Sequence, residues 1–311
     1  LAVVLLLILV ISGFFMGENG LAVHLDAQNS APSWAHPFGT DWLGRDMFVR
    51  TVKGLTLSFW VGLLAAFLSA IIALVLSLFL ILSKTADSIL TWLIDLFLGV
   101  PHIVALILIS FMLGGGLKGV IISVALTHWP RLARLLRAEI KQIKNTEYIT
   151  ASRNMGKSWF WIAQHHIFPH LLPQLSIGFL LIFPHAILHE ASITFLGFGL
   201  SSEQPAIGII LSESMGYLSS GMWWLAIFPG LMLLVMVGIF DNLGHNLRKV
   251  FDPFKGQKHY YFVMENNSIL KTKDKEPLLE VKDFSLSFTE YKDGFEESFV
   301  QVIKNFELTI N

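Results

Sequence analysis

Long apolar runs, separated by shorter polar segments, occupy most of the chain. A helix needs about 20 apolar residues to cross a bilayer. These runs, the shorter ones helped by their neighbours, predict six membrane-spanning helices, of which the first is truncated. The predicted spans cover residues 1–15, 55–83, 89–113, 120–136, 171–195 and 223–240. We therefore expect an all-α transmembrane fold.

The pattern changes near residue 254. Residues 255–277 are polar and charged, which predicts a linker. Residues 278–311 contain two runs in which apolar and polar residues alternate, as they do in half-buried strands. Because two strands alone cannot bury a core, we expect this β segment to belong to a larger, incomplete domain.

The composition agrees with a membrane protein. Hydrophobic residues make up 54% of the 311 residues and charged residues only 14%, whereas about 25% of a soluble domain is charged. The chain has no cysteine, which excludes disulfides, thiolate metal sites and cysteine nucleophiles.

The distribution of basic residues orients the predicted helices. Residues 131–157 contain seven lysines and arginines but only two glutamates, and residues 197–221 contain no lysine or arginine. Cytoplasmic loops are enriched in lysine and arginine, so we expect the first segment inside the cell and the second outside. Six spans then place both ends in the cytoplasm of a multi-pass protein of the bacterial cytoplasmic membrane. The loop 17–53, which this orientation places outside, contains three basic residues. They reduce the difference in basic residues between the two sides but do not reverse it.

A charged motif precedes the second predicted span. Unpaired charges beside a membrane helix are costly, so we expect its aspartates and arginines to pair with one another. A solvated turn that caps the helix is the alternative. The motif consists of Gly39, Thr40, Asp41, Gly44, Arg45, Asp46 and Arg50.

A second motif lies in the basic segment between the fourth and fifth spans. Small residues at Thr150, Ala151 and Ser152 are followed by Gly156 and later by Pro169. Small residues allow close approach of backbones, and glycine adopts turn conformations without steric cost. The pattern predicts two short helices joined by a glycine turn. Together they would form a knob that could bind in a groove on a partner protein. A plain basic loop is the alternative.

These motifs, with residues 195–200 and the closing segment 242–253, resemble the permease subunits of the dipeptide/oligopeptide/nickel class of ABC importers. The resemblance covers residues 36–254, preceded at 1–35 by the truncated helix and the start of an external loop. The sequence departs from the family pattern at residues 150–152, where the family has Glu-Ala-Ala, and at His245 and Lys249, where it has aspartate. Residues 278–311 resemble the opening strands of an ABC ATPase.

The resemblance implies a transport subunit and not an enzyme. It implies as partners a second permease subunit, two ABC ATPase subunits or domains, an extracellular or periplasmic solute-binding protein and membrane lipid, but no nucleic acid. The 150–169 segment would couple the ATPases to the helices. No phosphate-binding loop motif occurs in the chain. ATP and Mg²⁺ would therefore bind to an ATPase partner or to a completed fused domain, and either a fusion or a shortened chain is compatible with the tail.

Histidines in the fifth span raise the question of the substrate. His185 and His189 are four residues apart, share one helix face, and are followed by Glu190. Ionisable residues inside the membrane mark transport paths by default, and imidazole binds nickel, copper, zinc and iron. The three residues are thus candidates for the translocation path, and the two histidines for metal ligands. Two neutral histidines bonded to a neighbouring helix are the alternative.

Two kinds of substrate therefore remain predicted. One is nickel or another transition-metal complex, and the other is peptides. His102 could face the same path, and Asp95 is expected to be a buried ion that pairs within the protein. An intramembrane metalloprotease is a rival class, but it requires His-Glu-x-x-His, and Ile193 occupies the position of the second histidine. A channel would need neither the knob nor the ATPase-like tail.

Overall fold

The computed structural model describes residues 2–81, 83–251, 279–292 and 295–310. The chain divides into two units, Leu1–Phe251 and Asp252–Asn311, and the predicted linker 255–277 lies outside the described residues. The first unit is helical. Its α-helices are α1 Ala2–Phe15, α2 Met47–Leu78, α3 Lys84–Gly99, α4 His102–Met112, α5 Gly116–Lys144, α6 Glu147–Asn154, α7 Trp159–Ile162, α8 Phe168–Phe195, α9 Ile207–Leu218 and α10 Trp224–Phe251.

Helix α2 forms the centre of this unit and packs against both α5 and α8. Small buried residues such as Ala65, Ala66 and Ala73 line its packed side and allow the neighbouring backbones to approach closely. Phe183 of α8 is almost fully buried, with its ring centroid 5.4 Å from that of Phe59 and 4.3 Å from that of Phe240. An aromatic cluster therefore joins α2, α8 and α10.

Length and composition identify fewer spans than the six predicted. Within the described residues, three helices are long and apolar enough to cross a membrane: Met47–Leu78, Trp159–Phe195 and Trp224–Leu247. The bent pair α3 and α4 raises the number to four if it is one span. Helix α1 has only 14 residues, and α5 carries many charges. The six-span count thus stays a prediction.

The predicted third span is not one straight helix. Helices α3 and α4 meet at an angle of 97°, on either side of Val100 and Pro101. Proline disfavours helical geometry in the residue before it, and Val100 has an extended backbone, with φ −87° and ψ 136°. The bend places His102 at the first residue of α4.

The second unit contains two antiparallel strands, β1 Leu279–Lys292 and β2 Phe295–Ile310. Leu279 pairs with Ile310 and Lys292 with Phe295. The assignment of this hairpin to an ATPase domain stays a prediction.

The contact between α9 and α8 leaves no room for a side chain at Gly208. A β-carbon there would lie 2.8 Å from the backbone nitrogen of Phe195, whereas one at Gly216 of the same helix would meet nothing within 4 Å. We expect Gly208→Ala to lower the free energy of unfolding by about 1–3 kcal/mol through overpacking. Gly216→Ala should raise it by about 0.5–1 kcal/mol, as in an ordinary helix. Thermal unfolding of the detergent-solubilised protein compares the two variants, and equal effects would contradict the close contact.

Candidate functional site

The segment between α5 and α8 forms a compact projection, which we call the knob (residues 147–169). Helix α6 ends at Asn154 and is capped by Met155, and Gly156 follows in the left-handed conformation with φ +80°. The Gly156 amide donates to the Arg153 carbonyl at 2.9 Å, and the Lys157 amide donates to the Ser152 carbonyl at 3.1 Å. This is the glycine-terminated helix ending that satisfies the last carbonyl groups of a helix. It turns the chain into the short helix α7.

Cation–aromatic contacts hold the knob together. The Lys144 ammonium and the Arg153 guanidinium lie 4.9 Å and 4.8 Å from the ring centroid of Trp159. The Lys157 ammonium lies 4.7 Å from that of Trp161. Such contacts contribute about 0.5–1 kcal/mol each at exposed positions. They fix the orientation of α7 relative to α6 and to the end of α5.

A small interior supports the same arrangement. Ile149, Ile162 and Ile167 are buried, and the Ser152 hydroxyl lies 3.1 Å from Nε2 of His166. Of the residues predicted for the coupling role, Ser152 is half-buried against this histidine. The other four are exposed and available to a partner: Thr150, Ala151, Gly156 and Pro169.

Two apolar side chains of the knob project into the surroundings. Met155 and Phe160 are each 79% exposed, although both lie in a basic segment. Apolar side chains exposed to this extent are candidates for contact with a partner, and contiguous apolar patches mark interaction surfaces. Sequence reasoning did not single them out, because Phe160 lies between Trp159 and Trp161 and nothing in the sequence shows which of these rings is exposed.

The charged motif before α2 forms a buried ion-pair network. Asp41 Oδ2 accepts hydrogen bonds from Arg45 Nε at 2.7 Å and from Arg50 Nη1 at 2.6 Å. Arg50 also donates to Glu213 Oε2 of α9 at 2.9 Å, and its side chain is only 3% exposed. The expected pairing of Asp41 with the two arginines is confirmed. Glu213 was missed, because nothing near it in the sequence indicates a partner in the motif.

Asp46 has a different role from the other charged residues of the motif. Its Oδ1 accepts hydrogen bonds from the amides of Phe48 at 2.8 Å and Val49 at 3.0 Å, which caps α2. Its Oδ2 lies 2.7 Å from His36 Nδ1. The cap that the sequence offered as an alternative to pairing therefore exists beside the ion pairs.

The turn glycines of this motif are required by the backbone. Gly39 and Gly44 both have φ +74°, a conformation that glycine adopts without strain. A β-carbon at Gly44 would also collide with the backbone of His24. Thr40 donates its hydroxyl hydrogen to the Ala27 carbonyl and forms an isolated bridge with Asp46. The loop is thus folded against the start of α2.

The structure separates the three candidate path residues of α8. His185 is exposed and His189 is half-buried, whereas Glu190 is fully buried and accepts a hydrogen bond from Thr194 at 3.1 Å. In the described part of the chain, His189 groups with His102 and His128, and the group does not include His185. The expectation that His102 could face the same path agrees with its position beside His189. The shared helix face of His185 and His189 did not predict which histidines meet.

Asp95 pairs with Arg134 of α5 at 3.0 Å, as expected. Both side chains are more than half exposed, so the expectation of a buried ion is wrong. Helix α3 packs mainly against α5 among the described helices, which leaves its other sides uncovered in this chain. A second link joins the same helices, because Asp87 contacts Arg137 at 2.5 Å and Lys141 at 2.6 Å.

Comparison with known proteins gives consistent results. Residues 62–251 match the family described as "Binding-protein-dependent transport system inner membrane component". The dipeptide transport system permease protein DppC of Bacillus subtilis (strain 168) is 32% identical over 245 residues, which are 78% of this chain and 77% of that protein. A putative peptide transport system permease protein of Brucella suis biovar 1 (strain 1330) is 35% identical over 222 residues, 71% of this chain and 75% of that protein.

Solved structures share the fold. Two structures of the MetNI methionine ABC transporter in inward-facing conformations align with TM-scores of 0.52 and 0.53, at 18% and 20% identity. Each alignment covers 66% of this chain and 97% of the solved chain. At this identity the likeness concerns the fold alone.

Proposed function

Because this chain belongs to the binding-protein-dependent transport system inner membrane component family, as a permease subunit of an ABC importer, we propose that its substrates are small peptides. The names of the similar permeases from Bacillus and Brucella support peptides. They give no support to nickel or another metal complex. As a transport subunit the chain performs no covalent chemistry.

The knob is the element that receives force from the ATPases. Its Met155 and Phe160 carry this assignment, because each is an apolar side chain that is 79% exposed on an element braced by cation–aromatic contacts. The excess of basic residues in 131–157 supports a cytoplasmic position for the knob, and the six predicted spans would put both chain ends on the same side. ATP and Mg²⁺ would be bound by the ATPase partners.

The ion-pair network belongs to the opposite side of the membrane. It joins the loop before α2 to α9 through Arg50 and Glu213, and both segments lie in regions that the charge distribution assigns to the exterior. There they would meet the solute-binding protein. A second permease subunit would complete the translocation path.

Replacing both Met155 and Phe160 with serine should weaken attachment of the ATPases. A few desolvated apolar or aromatic side chains supply most of the binding energy of an interface. We expect the copurified ATPase to fall by about tenfold or more, given about 1.4 kcal/mol per factor of ten. Uptake of a labelled dipeptide by the intact importer should fall in parallel.

Trp34→Ser is the matched control, since Trp34 is fully exposed but lies far from the knob in sequence, in the predicted external loop. It should leave ATPase attachment unchanged. Full ATPase retention in the double variant would refute the docking assignment. Uptake of labelled nickel but not of dipeptide by the unmodified importer would refute the peptide assignment and leave the docking assignment intact.

A further inference from the structure

Three histidines from three helices meet inside the helical unit. They are His102 at the start of α4, His128 in α5 and His189 in α8. Each offers one ring nitrogen, and these three nitrogens lie within 4.8 Å of one another. The ring centroids are 4.4 to 5.2 Å apart. We call this group the histidine cluster.

Hydrogen bonding determines which nitrogen of His128 is available. Its Nδ1 lies 2.9 Å from the carbonyl oxygen of Val124. A carbonyl can only accept, so Nδ1 carries the hydrogen, and in the neutral ring Nε2 has a free lone pair. An Nδ1–H bond to a backbone carbonyl is the arrangement that orients metal-binding histidines.

The free nitrogens have no protein partner. Within the described residues, Nε2 of His128 and Nε2 of His102 are buried and make no hydrogen bond. Buried polar atoms without a partner are rare and cost about 1–3 kcal/mol each. Two of them in one cluster indicate that a ligand completes the site.

We propose that the histidine cluster binds a divalent first-row transition ion such as Zn²⁺ or Ni²⁺. Imidazole suits these ions, and three histidines form a known ligand set with one open position. With metal–nitrogen distances of about 2.0–2.1 Å, tetrahedral ligand atoms are about 3.3 Å apart. Nitrogens that already lie within 4.8 Å reach that spacing by small rotations of the rings.

The surroundings limit the affinity. Arg131 acts electrostatically on all three rings, and its positive charge opposes a cation. Arg131 is exposed, which reduces the opposition where water or counter-ions reach it. Glu190 is next to His189 in sequence, but its carboxylate bonds to Thr194 and is not a member of the cluster. Among the described residues, the site therefore consists of nitrogen ligands alone.

A bound ion would tie together three helices. Helix α4 follows the 97° bend, and the ion would fix its first turn against α5 and α8. A ligand that binds only the folded state raises stability in proportion to its occupancy. The ion is thus expected to be a resident of the permease, which makes this proposal independent of the peptide assignment.

The test uses the intact importer complex, purified through a tag without histidine and titrated with Zn²⁺ or Ni²⁺ alone. His128→Gln, His102→Gln and His189→Gln should each weaken binding at this site by about tenfold or more, as loss of a metal-orienting group already does. His170→Gln, a change at an exposed histidine outside the cluster, should bind as the unmodified complex does. Metal should raise the unfolding temperature of the unmodified and control proteins but not of the cluster variants.

His185→Gln distinguishes the histidine cluster from the metal site predicted from the sequence, which consists of His185 and His189 on one face of α8. Unchanged binding in this variant supports the cluster, and loss of binding in this variant alone overturns it. Unmodified affinity in all three cluster variants overturns the proposal as well. Three variants on three helices keep the test decisive if one of them fails to fold. Dipeptide uptake measured with ATP and Mg²⁺ but without added Zn²⁺ or Ni²⁺ shows separately whether the transport assignment holds.

Discussion

Gly156→Val is expected to abolish coupled peptide uptake while the protein still inserts into the membrane. Gly156 has φ +80°, and this left-handed conformation costs an L-residue about 1–2 kcal/mol, more if it is β-branched. A β-carbon there would meet nothing within 4 Å, so the effect comes from the backbone and not from a clash. We expect the strain to be relieved by a change in the angle between α6 and α7, which would displace α7 and its exposed Phe160 relative to Met155. Uptake of labelled dipeptide and ATP hydrolysis are both measured in reconstituted vesicles. Uptake should be lost while ATP hydrolysis continues.

Asparagine at the same position provides the control. Asn adopts the left-handed conformation more readily than other non-glycine residues, and the open space around Gly156 accommodates its side chain. Gly156→Asn should therefore keep most of the uptake. If the valine variant transported as well as the asparagine variant, the knob geometry would have no part in coupling.

Arg50→Ala is expected to lower the free energy of unfolding by about 3–5 kcal/mol, the usual result of removing one partner from a buried ion pair. Arg50 is 3% exposed and bonds to both Asp41 and Glu213. Without it, the buried Asp41 carboxylate keeps only Arg45 as a side-chain partner among the described residues. Thermal unfolding of the detergent-solubilised protein measures the loss.

Lys53→Ala is the comparison, because the Lys53 ammonium pairs with Glu18, which is 91% exposed. Lys53 itself is 14% exposed, but the Glu18 carboxylate stays in water after the change and no buried charge loses its partner. The loss should therefore be about 0–1 kcal/mol, and this variant should unfold close to the temperature of the unmodified protein. Glu213→Gln should give an intermediate loss, since Glu213 is 26% exposed. Equal unfolding temperatures for Arg50→Ala and Lys53→Ala would show that the network does not hold α9 to the loop.

Features that depend on neighbours in the chain could be predicted from the sequence. The turn at Gly156 follows from the conformational freedom of glycine, and the cap formed by Asp46 uses amides two and three residues ahead. The pairing of Asp41 with Arg45 joins residues four apart. Apolar runs of sufficient length also predicted α2, α8 and α10 as membrane-spanning helices, because the bilayer sets a minimum length that a count of residues can reveal.

Features that depend on which helices pack together were decided by the tertiary structure alone. Glu213 reaches Arg50 across 163 positions of sequence, and the histidine cluster draws one residue from each of three helices. The sequence placed His189 with His185 because helical periodicity relates only residues of one helix. The rotation of each helix about its axis is set by packing against neighbours, and no local pattern of residues records it. Pro101 marks the place where α3 ends, but the 97° angle at which α4 continues depends on packing.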